Sequence, residues 1–225
     1  MITVHHLDNS RSQRVLWLLE ELGLPYEIKS YKRQPNLLAP PELKKIHPLG
    51  KSPVIVDDAR PNHPIAETGA IMDYIFTRYG KDRLIPPADS DARLDYTYWM
   101  YAAEGTFMTP LLLRLITGNI TKRAPFLVRP IAAKIARTLD DTLVKPNLAA
   151  HQQLWEDTLT KTPWLAGPDF TAADIMMSFP METAALRGGA GDKPHIKAWL
   201  DAIHTRPAYR RALDRGGPYA YSNVD

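Results

Sequence analysis

The 225-residue chain contains no cysteine, and this absence removes several kinds of chemistry at once. A disulfide framework, a cysteine-ligated metal and a protein thiol that acts as a nucleophile or redox centre are all excluded. Any thiol that takes part in a reaction must therefore belong to the ligand.

The chain also lacks a strong charge of either sign and any long hydrophobic run. Its 28 lysines and arginines face 25 acidic residues, and the net charge of +3 argues against a surface that coats nucleic acid. No apolar run approaches the ~18 residues of a membrane span, and Ile2, Thr3 and Val4 begin the chain without a basic and apolar leader. We expect a soluble, cytoplasmic protein with neither nucleic acid nor membrane as a partner.

The order of apolar runs divides the chain into two predicted domains. In residues 1–80, apolar residues recur partly at strand spacing and partly at helical spacing. Strands are expected at 2–6, 26–31, 53–57 and 65. Helices are expected after the first strand and over 40–46 and 67–79. Residues 81–90 contain adjacent prolines without periodicity, which is typical of a linker. Residues 91–225 show only helical periods, at 91–117 with a kink at Pro110, 129–161 with a break at Pro146, 171–186, 194–203 and 207–213. The predicted fold is an α/β domain followed by an all-helical domain.

Two segments of the first domain predict a place for an α-amino acid head group. Pro53 cannot donate to a sheet and heads an apolar run, so the backbone of Ser52 before it is left free for a ligand. Glu67 and Thr68 open a helix whose free N–H groups receive a carboxylate, while the acidic side chain receives an amine. An acid in a first helical turn also stabilises a helix without a ligand, so that simpler role stays open.

Four motifs carry a resemblance to a known family. They are Asn9-Ser10-Arg11-Ser12, the run from Pro41 to Leu43 with His47 to Pro53, Glu67-Thr68-Gly69-Ala70-Ile71, and Phe170-Thr171-Ala172-Ala173-Asp174-Ile175. Over nearly its whole length the chain resembles the cytosolic glutathione S-transferases, and more the fungal and bacterial members than the vertebrate classes. The resemblance implies a thioredoxin-like first domain, a cis bond between Ser52 and Pro53, an all-helical second domain and a homodimer. It implies glutathione as a co-substrate rather than a permanently bound cofactor.

The resemblance places the catalytic group at the end of the first strand. Glutathione reacts as a thiolate, and Ser10 would stabilise it with a hydroxyl and the positive end of the first helix. Asn9 and Ser12 are alternatives, since some members use a neighbouring position or an asparagine. Ser10 and Gln13 also fit a Ser-x-x-Gln capping box, in which the hydroxyl only satisfies a helix N–H.

The remaining candidate residues also come from the resemblance. Lys51 would face the glycine carboxylate of glutathione, although a lysine before a strand is also typical of a solvated turn. Glu104 corresponds to an acid that in some relatives reaches the ligand's amino group across the dimer. The expected glutathione contacts are Lys51, Ser52, Pro53, Glu67, Thr68 and Glu104.

One helical stripe is the candidate wall of a pocket for an apolar co-substrate. Tyr98, Tyr101 and Met108 recur at helical steps, and such a stripe fits a core or an interface equally well.

His5 and His6 point to opposite faces of a strand, so no metal site is expected. Thr171 and Asp174 form a predicted capping box with a folding role. Four arginines near the end of the chain indicate a solvated face: Arg206, Arg210, Arg211 and Arg215.

These residues predict a glutathione transferase that joins the glutathione thiolate to a small, largely apolar electrophile, as in detoxification. A glutathione-dependent peroxidase or disulfide reductase is the close alternative, since two glutathione molecules can supply both sulfurs. A non-catalytic binding or assembly module is a further alternative, because a fold does not guarantee an activity.

Overall fold

The first eighty residues form a four-stranded mixed sheet with helices. The computed structural model describes residues 1–36 and 38–222, so the last three residues of the predicted second domain lie outside the described part. In this unit the elements are β1 (Ile2–Leu7), α1 (Gln13–Leu22), β2 (Tyr26–Tyr31), a 3₁₀ turn (Pro41–Lys45), β3 (Val54–Asp57), β4 (Ile65–Ala66), and α2 (Thr68–Ile75) with a π-helical turn (Phe76–Gly80). The strand order is β2-β1-β3-β4, with β1 parallel to β2 and antiparallel to β3. The expected thioredoxin-like first domain is confirmed.

The register of the sheet decides which segments meet at its functional edge. Val54 of β3 pairs with His5 of β1 on one side and with Ala66 of β4 on the other. Because both pairings are antiparallel, the residues just before Val54 lie beside the end of β1 and the residues just after Ala66. The end of β1, the start of β3 and the start of α2 therefore meet at one edge.

α1 is an apolar helix that is buried on nearly every side, and it ends where the sequence changes. Its five consecutive residues from Val15 to Leu19 are all 0% exposed. Gly23 adopts a left-handed φ of 64°, which glycine tolerates without a side-chain clash, and the N–H of Leu24 then bonds the carbonyl of Leu19 at 2.9 Å. The chain can thus turn back towards β2.

The rest of the described chain is helical. Its elements are α3 (Asp91–Ala102), a π-helical turn (Ala103–Phe107), α4 (Met108–Arg123), a 3₁₀ turn (Phe126–Val128), α5 (Arg129–Leu139), a π-helical turn (Asp140–Val144), α6 (Lys145–Lys161), α7 (Ala172–Gly188), a 3₁₀ turn (Ala190–Asp192), α8 (Pro194–Thr205) and α9 (Pro207–Gly216). No described helix is both long and apolar enough to cross a membrane. The expected all-helical second part is confirmed.

The two prolines predicted to disturb long helices lie just after π-helical turns. A proline has no N–H for the carbonyl four residues before it, which is Thr106 for Pro110 and Thr142 for Pro146. Both of these carbonyls lie within a π-helical turn. The wider turn therefore accommodates the proline, and the helix continues despite the missing hydrogen bond. The first helical stretch also continues to Arg123, beyond the predicted end at residue 117.

Helix α1 is enclosed by helices from the end of the chain. The ring of Trp17 packs edge-on against Tyr209 of α9, with centroids 5.0 Å apart. Arg206 bonds Glu21 at 2.6 Å, and Arg211 bonds Glu20 at 2.7 Å. Arg215 also bonds Glu20, at 3.1 Å. The prediction of a simple solvated face for the C-terminal arginines is therefore wrong for these three, because acidic residues of α1 lie opposite them.

Candidate active site

The turn that follows β1 brings two serine hydroxyls into the protein interior. Ser10 is 3% exposed and Ser12 is fully buried. The Ser10 hydroxyl donates to the Leu7 carbonyl at 2.7 Å and lies 2.7 Å from the Ser12 oxygen. The Ser12 oxygen also contacts Nδ1 of His6 at 2.8 Å. Both hydroxyls thus have partners inside the turn, an arrangement that no sequence motif indicated.

The alternative capping role for Ser10 is formed only in half. Its oxygen accepts from the N–H of Ser12 at 3.2 Å, which satisfies one donor ahead of α1. The side-chain nitrogen and oxygen of Gln13 are buried without a hydrogen-bond partner among the described residues, so the reciprocal bond of a capping box is missing there. Ser12, rather than Ser10, is the residue next to the first helical position.

Asn9 stands at the outer side of the same turn. It has a left-handed φ of 47°, which asparagine tolerates better than most residues. Its side-chain oxygen accepts from the N–H of Ala220 at 2.7 Å. The tail that follows α9 therefore reaches the candidate site, and it is held nearby by Tyr219, whose hydroxyl donates to Glu182 at 2.7 Å.

The segment before β3 has the geometry expected for a ligand's main chain. The Ser52–Pro53 bond is cis, as the resemblance implied. The Ser52 hydroxyl donates to the His5 carbonyl at 2.8 Å and accepts from the Leu7 N–H at 3.2 Å, so it ties β3 to β1. Among residues 1–36 and 38–222, nothing bonds the Ser52 backbone N–H or C=O. Both groups remain available to a ligand.

Lys51 and Gly50 form the approach to this segment. Lys51 is exposed, and none of the described residues forms an ion pair with it. Gly50 has a φ of +59°, and a side chain there would place its first carbon 2.6 Å from Cγ of Lys44. Only glycine fits this turn without strain.

Glu67 and Thr68 begin α2 directly across from Ser52 and Pro53. Glu67 is exposed and has a φ of 71°, a strained backbone for a glutamate. Thr68 is buried, and its hydroxyl accepts from Nη2 of Arg14 at 3.3 Å. The register of β3 and β4 thus joins the two segments that the sequence had linked only by their chemistry.

Glu104 lies between two arginines of the first domain. Arg11 approaches its carboxylate at 3.0 Å, and Arg14 forms a second ion pair with the other oxygen. Burial raises the pKa of Glu104, but the two guanidinium groups outweigh burial and hold it below its ordinary value. Sequence reasoning missed the role of both arginines; a cation on the buried face of α1, at Arg14, was the available signal.

The three candidate wall residues lie in different environments. Tyr101 is 78% exposed and Tyr98 48%, whereas Met108 is 8% exposed. Tyr101 and Met108 stand three residues before and four after Glu104, whose side chain reaches Arg11. No group of three or more potential metal ligands lies together among the described residues.

Comparison with known proteins agrees with this geometry. The family model for the N-terminal domain of glutathione S-transferases matches residues 1–77. Glutathione S-transferase 1 of Saccharomyces cerevisiae is 34% identical over 222 residues, which cover 96% of this chain and 95% of the yeast protein. Glutathione S-transferase 3 of Schizosaccharomyces pombe is 35% identical over 219 residues, which cover 96% of this chain and 88% of that protein.

A solved structure gives the same result for the whole fold. A glutathione S-transferase from Actinobacillus pleuropneumoniae aligns with a TM-score of 0.82 at 32% identity, over 99% of this chain and 96% of that chain. The fold is that of a protein with a thioredoxin-like first unit and a helical second part. The chain belongs to the glutathione S-transferase family.

Proposed function

We propose that this protein conjugates the thiolate of reduced glutathione to a small, electrophilic and largely apolar co-substrate. The observation that carries the proposal is the free backbone of Ser52, held at a cis Pro53 and directly across from Glu67 and Thr68. A peptide placed there would extend the sheet edge through its main chain and present its amino-acid end to the start of α2.

Each part of glutathione has a proposed partner. The cysteinyl main chain pairs with Ser52 beside Pro53, and Lys51 attracts the glycine carboxylate. Glu67 receives the γ-glutamyl amine, and the start of α2 at Thr68 receives the γ-glutamyl carboxylate. Glu104 remains a second candidate for the amine, although its carboxylate is shared by two arginines.

The sulfur then lies near the turn between β1 and α1. Asn9, Ser10 and Ser12 are the sequence-based candidates for its partner, with Ser10 first. The positive end of α1 adds to any donor at this place. Catalysis would consist mainly of positioning and of stabilising the anion.

The co-substrate wall is proposed on the helix that carries Glu104. The ion pair with Arg11 turns this face of the helix towards the first domain, and Tyr101 and Met108 share that face at helical steps. Tyr98 extends it by one further turn. A flat apolar electrophile would pack against these side chains while its reactive carbon meets the sulfur.

We further propose a homodimer that acts in the cytoplasm in detoxification. Large apolar side chains on α4 and α5 support an interface between copies, because a monomer would leave them in water. Examples are Leu112 at 51%, Ile131 at 63% and Ile135 at 55% exposure. Sedimentation equilibrium at micromolar concentration tests this, and a single monomeric species would contradict it.

Calorimetry with reduced glutathione tests the binding site. We expect the wild type to bind and Glu67→Gln to bind about tenfold or more weakly, since a charge-assisted hydrogen bond is lost. Glu27→Gln is the matched control, because Glu27 is an exposed acid on β2, at the opposite edge of the sheet. A wild type that binds no glutathione would contradict the proposal and favour an assembly module.

Product analysis then tests the reaction. With reduced glutathione and an activated aryl halide, we expect a thioether conjugate and release of halide. With a peroxide or a mixed disulfide instead, oxidised glutathione would be the product of the reductase alternative. Turnover only in the second assay would replace conjugation by reduction.

A further inference from the structure

The turn ahead of α1 exposes a guanidinium rather than a hydroxyl. Arg11 is 39% exposed in its side chain, whereas the neighbouring Ser10 and Ser12 are almost completely buried. The hydroxyl hydrogen of Ser10 is directed at the Leu7 carbonyl, and a serine hydroxyl has only one hydrogen to give. For Ser10 to donate to a sulfur, this internal bond must break.

Arg11 keeps most of its hydrogen-bonding capacity, in contrast to Arg14. Arg14 is 1% exposed and bonds the carbonyls of Arg11 and Met176, the Thr68 hydroxyl and Glu104. Within the described part of the chain, the only hydrogen-bond or ion-pair contact recorded for the Arg11 guanidinium is with Glu104. A guanidinium has five N–H donors, so several remain for a ligand.

The charges of this cluster also call for an anion. Arg11 and Arg14 carry two positive charges and share the single carboxylate of Glu104, whereas Glu67, the other acid that acts on Arg11, forms no ion pair with it. The ring of Phe179 lies beneath both guanidinium groups, with centroid distances of 6.0 and 5.6 Å, and limits the access of water from that side. Burial lowers the pKa of Arg11, and Glu104 opposes that shift. A second anion at Arg11 would offset the remaining desolvation.

We propose that Arg11 donates a hydrogen bond to the sulfur of bound glutathione and holds it as the thiolate. The inference rests on the proposed function, which brings the sulfur to this turn. The thiol proton leaves to bulk water, and the sulfur keeps the electron pair that attacks the co-substrate. Ser10 then has a positioning role: through Leu7 and Ser12 it fixes the turn from which Arg11 projects.

Four charged groups face Arg11. Glu104 of the turn between α3 and α4 and Glu67 ahead of α2 are negative, whereas Arg14 of α1 and Arg33 beyond β2 are positive. An ordinary thiol titrates near pH 8.5, between the usual range of carboxyl groups and that of guanidinium groups. The pH dependence of the bound species between pH 5 and 10 therefore reports the thiol itself.

The test is a titration of the ultraviolet absorbance of the thiolate in bound glutathione. We expect the thiol pKa to lie below its ordinary value in the wild type and to rise by about 1–3 units in Arg11→Gln, since an adjacent cation is removed. Arg11→Lys should fall between the two. Ser10→Ala should shift less than Arg11→Gln. Arg114→Gln is the matched control: Arg114 is 36% exposed and ion-paired with Asp140, but it lies on α4.

A second measurement separates contact with sulfur from a structural role. S-methylglutathione has no thiol to ionise, so at pH 8 Arg11→Gln should weaken glutathione about tenfold or more while leaving the methylated analogue nearly unchanged. Equal weakening of both ligands would overturn the proposal. So would a larger pKa shift in Ser10→Ala, or an Arg11→Lys variant that titrates as the wild type. A wild type that binds neither ligand would instead overturn the proposed function.

Discussion

Removing the side chain of Asp174 tests how the helical part is held together. Asp174 is fully buried at the start of α7. One of its oxygens accepts from the N–H of Leu165 at 3.1 Å and from Nε1 of Trp199 at 3.0 Å. The other accepts from the N–H of Thr171 at 3.0 Å. The capping box predicted from sequence is confirmed, and its acid also joins α7 to α8 and to the preceding loop.

The geometry allows the cost of Asp174→Ala to be worked out. The Leu165, Thr171 and Trp199 donors would be left buried without a partner. Each such donor costs about 1–3 kcal/mol, and part is regained because a buried carboxylate is no longer desolvated. We expect the free energy of unfolding to fall by about 3–5 kcal/mol, compared with ~1 kcal/mol for an ordinary cap.

Urea unfolding followed by tryptophan fluorescence measures this difference. Asp174→Asn is the informative comparison, because it can keep the oxygen that faces Leu165 and Trp199 while an NH₂ group replaces the oxygen at Thr171. The free energy of unfolding of Asp174→Asn should lie between that of the wild type and that of Asp174→Ala. If Asp174→Ala lowered the free energy of unfolding by no more than about 1 kcal/mol, the carboxylate would be a cap only and the reasoning would fail.

Two further substitutions test the ion pairs of Glu104 and the turn at Gly50. The pKa of Glu104 is lowered in the fold, so its ion pairs stabilise the protein fully above the unfolded value of about 4.5 and are lost as the pH falls through the folded value. The difference in free energy of unfolding between the wild type and Glu104→Gln should therefore shrink between pH 7 and pH 3, and a constant difference would contradict the ion pairs. Gly50→Ala should cost about 1–2 kcal/mol, because its φ is positive and Lys44 must move, and should also weaken glutathione binding. Gly69→Ala, inside α2 with open space, is the control and should not destabilise.

Much of the fold could be predicted because its signals are local. Gly23 ends α1, Pro53 precedes β3 and Thr171 caps α7, each for a reason contained within a few residues. The length of the helix beyond Pro110 could not be predicted, since nothing in the sequence indicates that a π-helical turn absorbs the missing hydrogen bond.

Part of the candidate site could also be predicted from the sequence, and part could not. Ser52 and Glu67 could be linked by their chemistry, and the register of β3 with β4 then placed their segments side by side. The inward direction of the Ser10 hydroxyl depends on the carbonyl of Leu7, and the partner of Arg11 is 93 positions away, at Glu104. Contacts across such distances depend on tertiary packing, which no periodicity or motif of a single sequence records.

The way in which α9 and the tail return to α1 bears on how such proteins can be recombined. A chimaera joined only after residue 80 would give α1 an α9 from another protein, and Glu20 and Glu21 would then face side chains that are not their ion-pair partners. Exchange of residues 1–80 together with the segment from Arg206 to Ser222 would preserve these two ion pairs, while Tyr219 would have to meet a Glu182 on the retained α7. The modular unit of this protein is thus discontinuous in sequence, and a library of hybrids should be cut at two places rather than one.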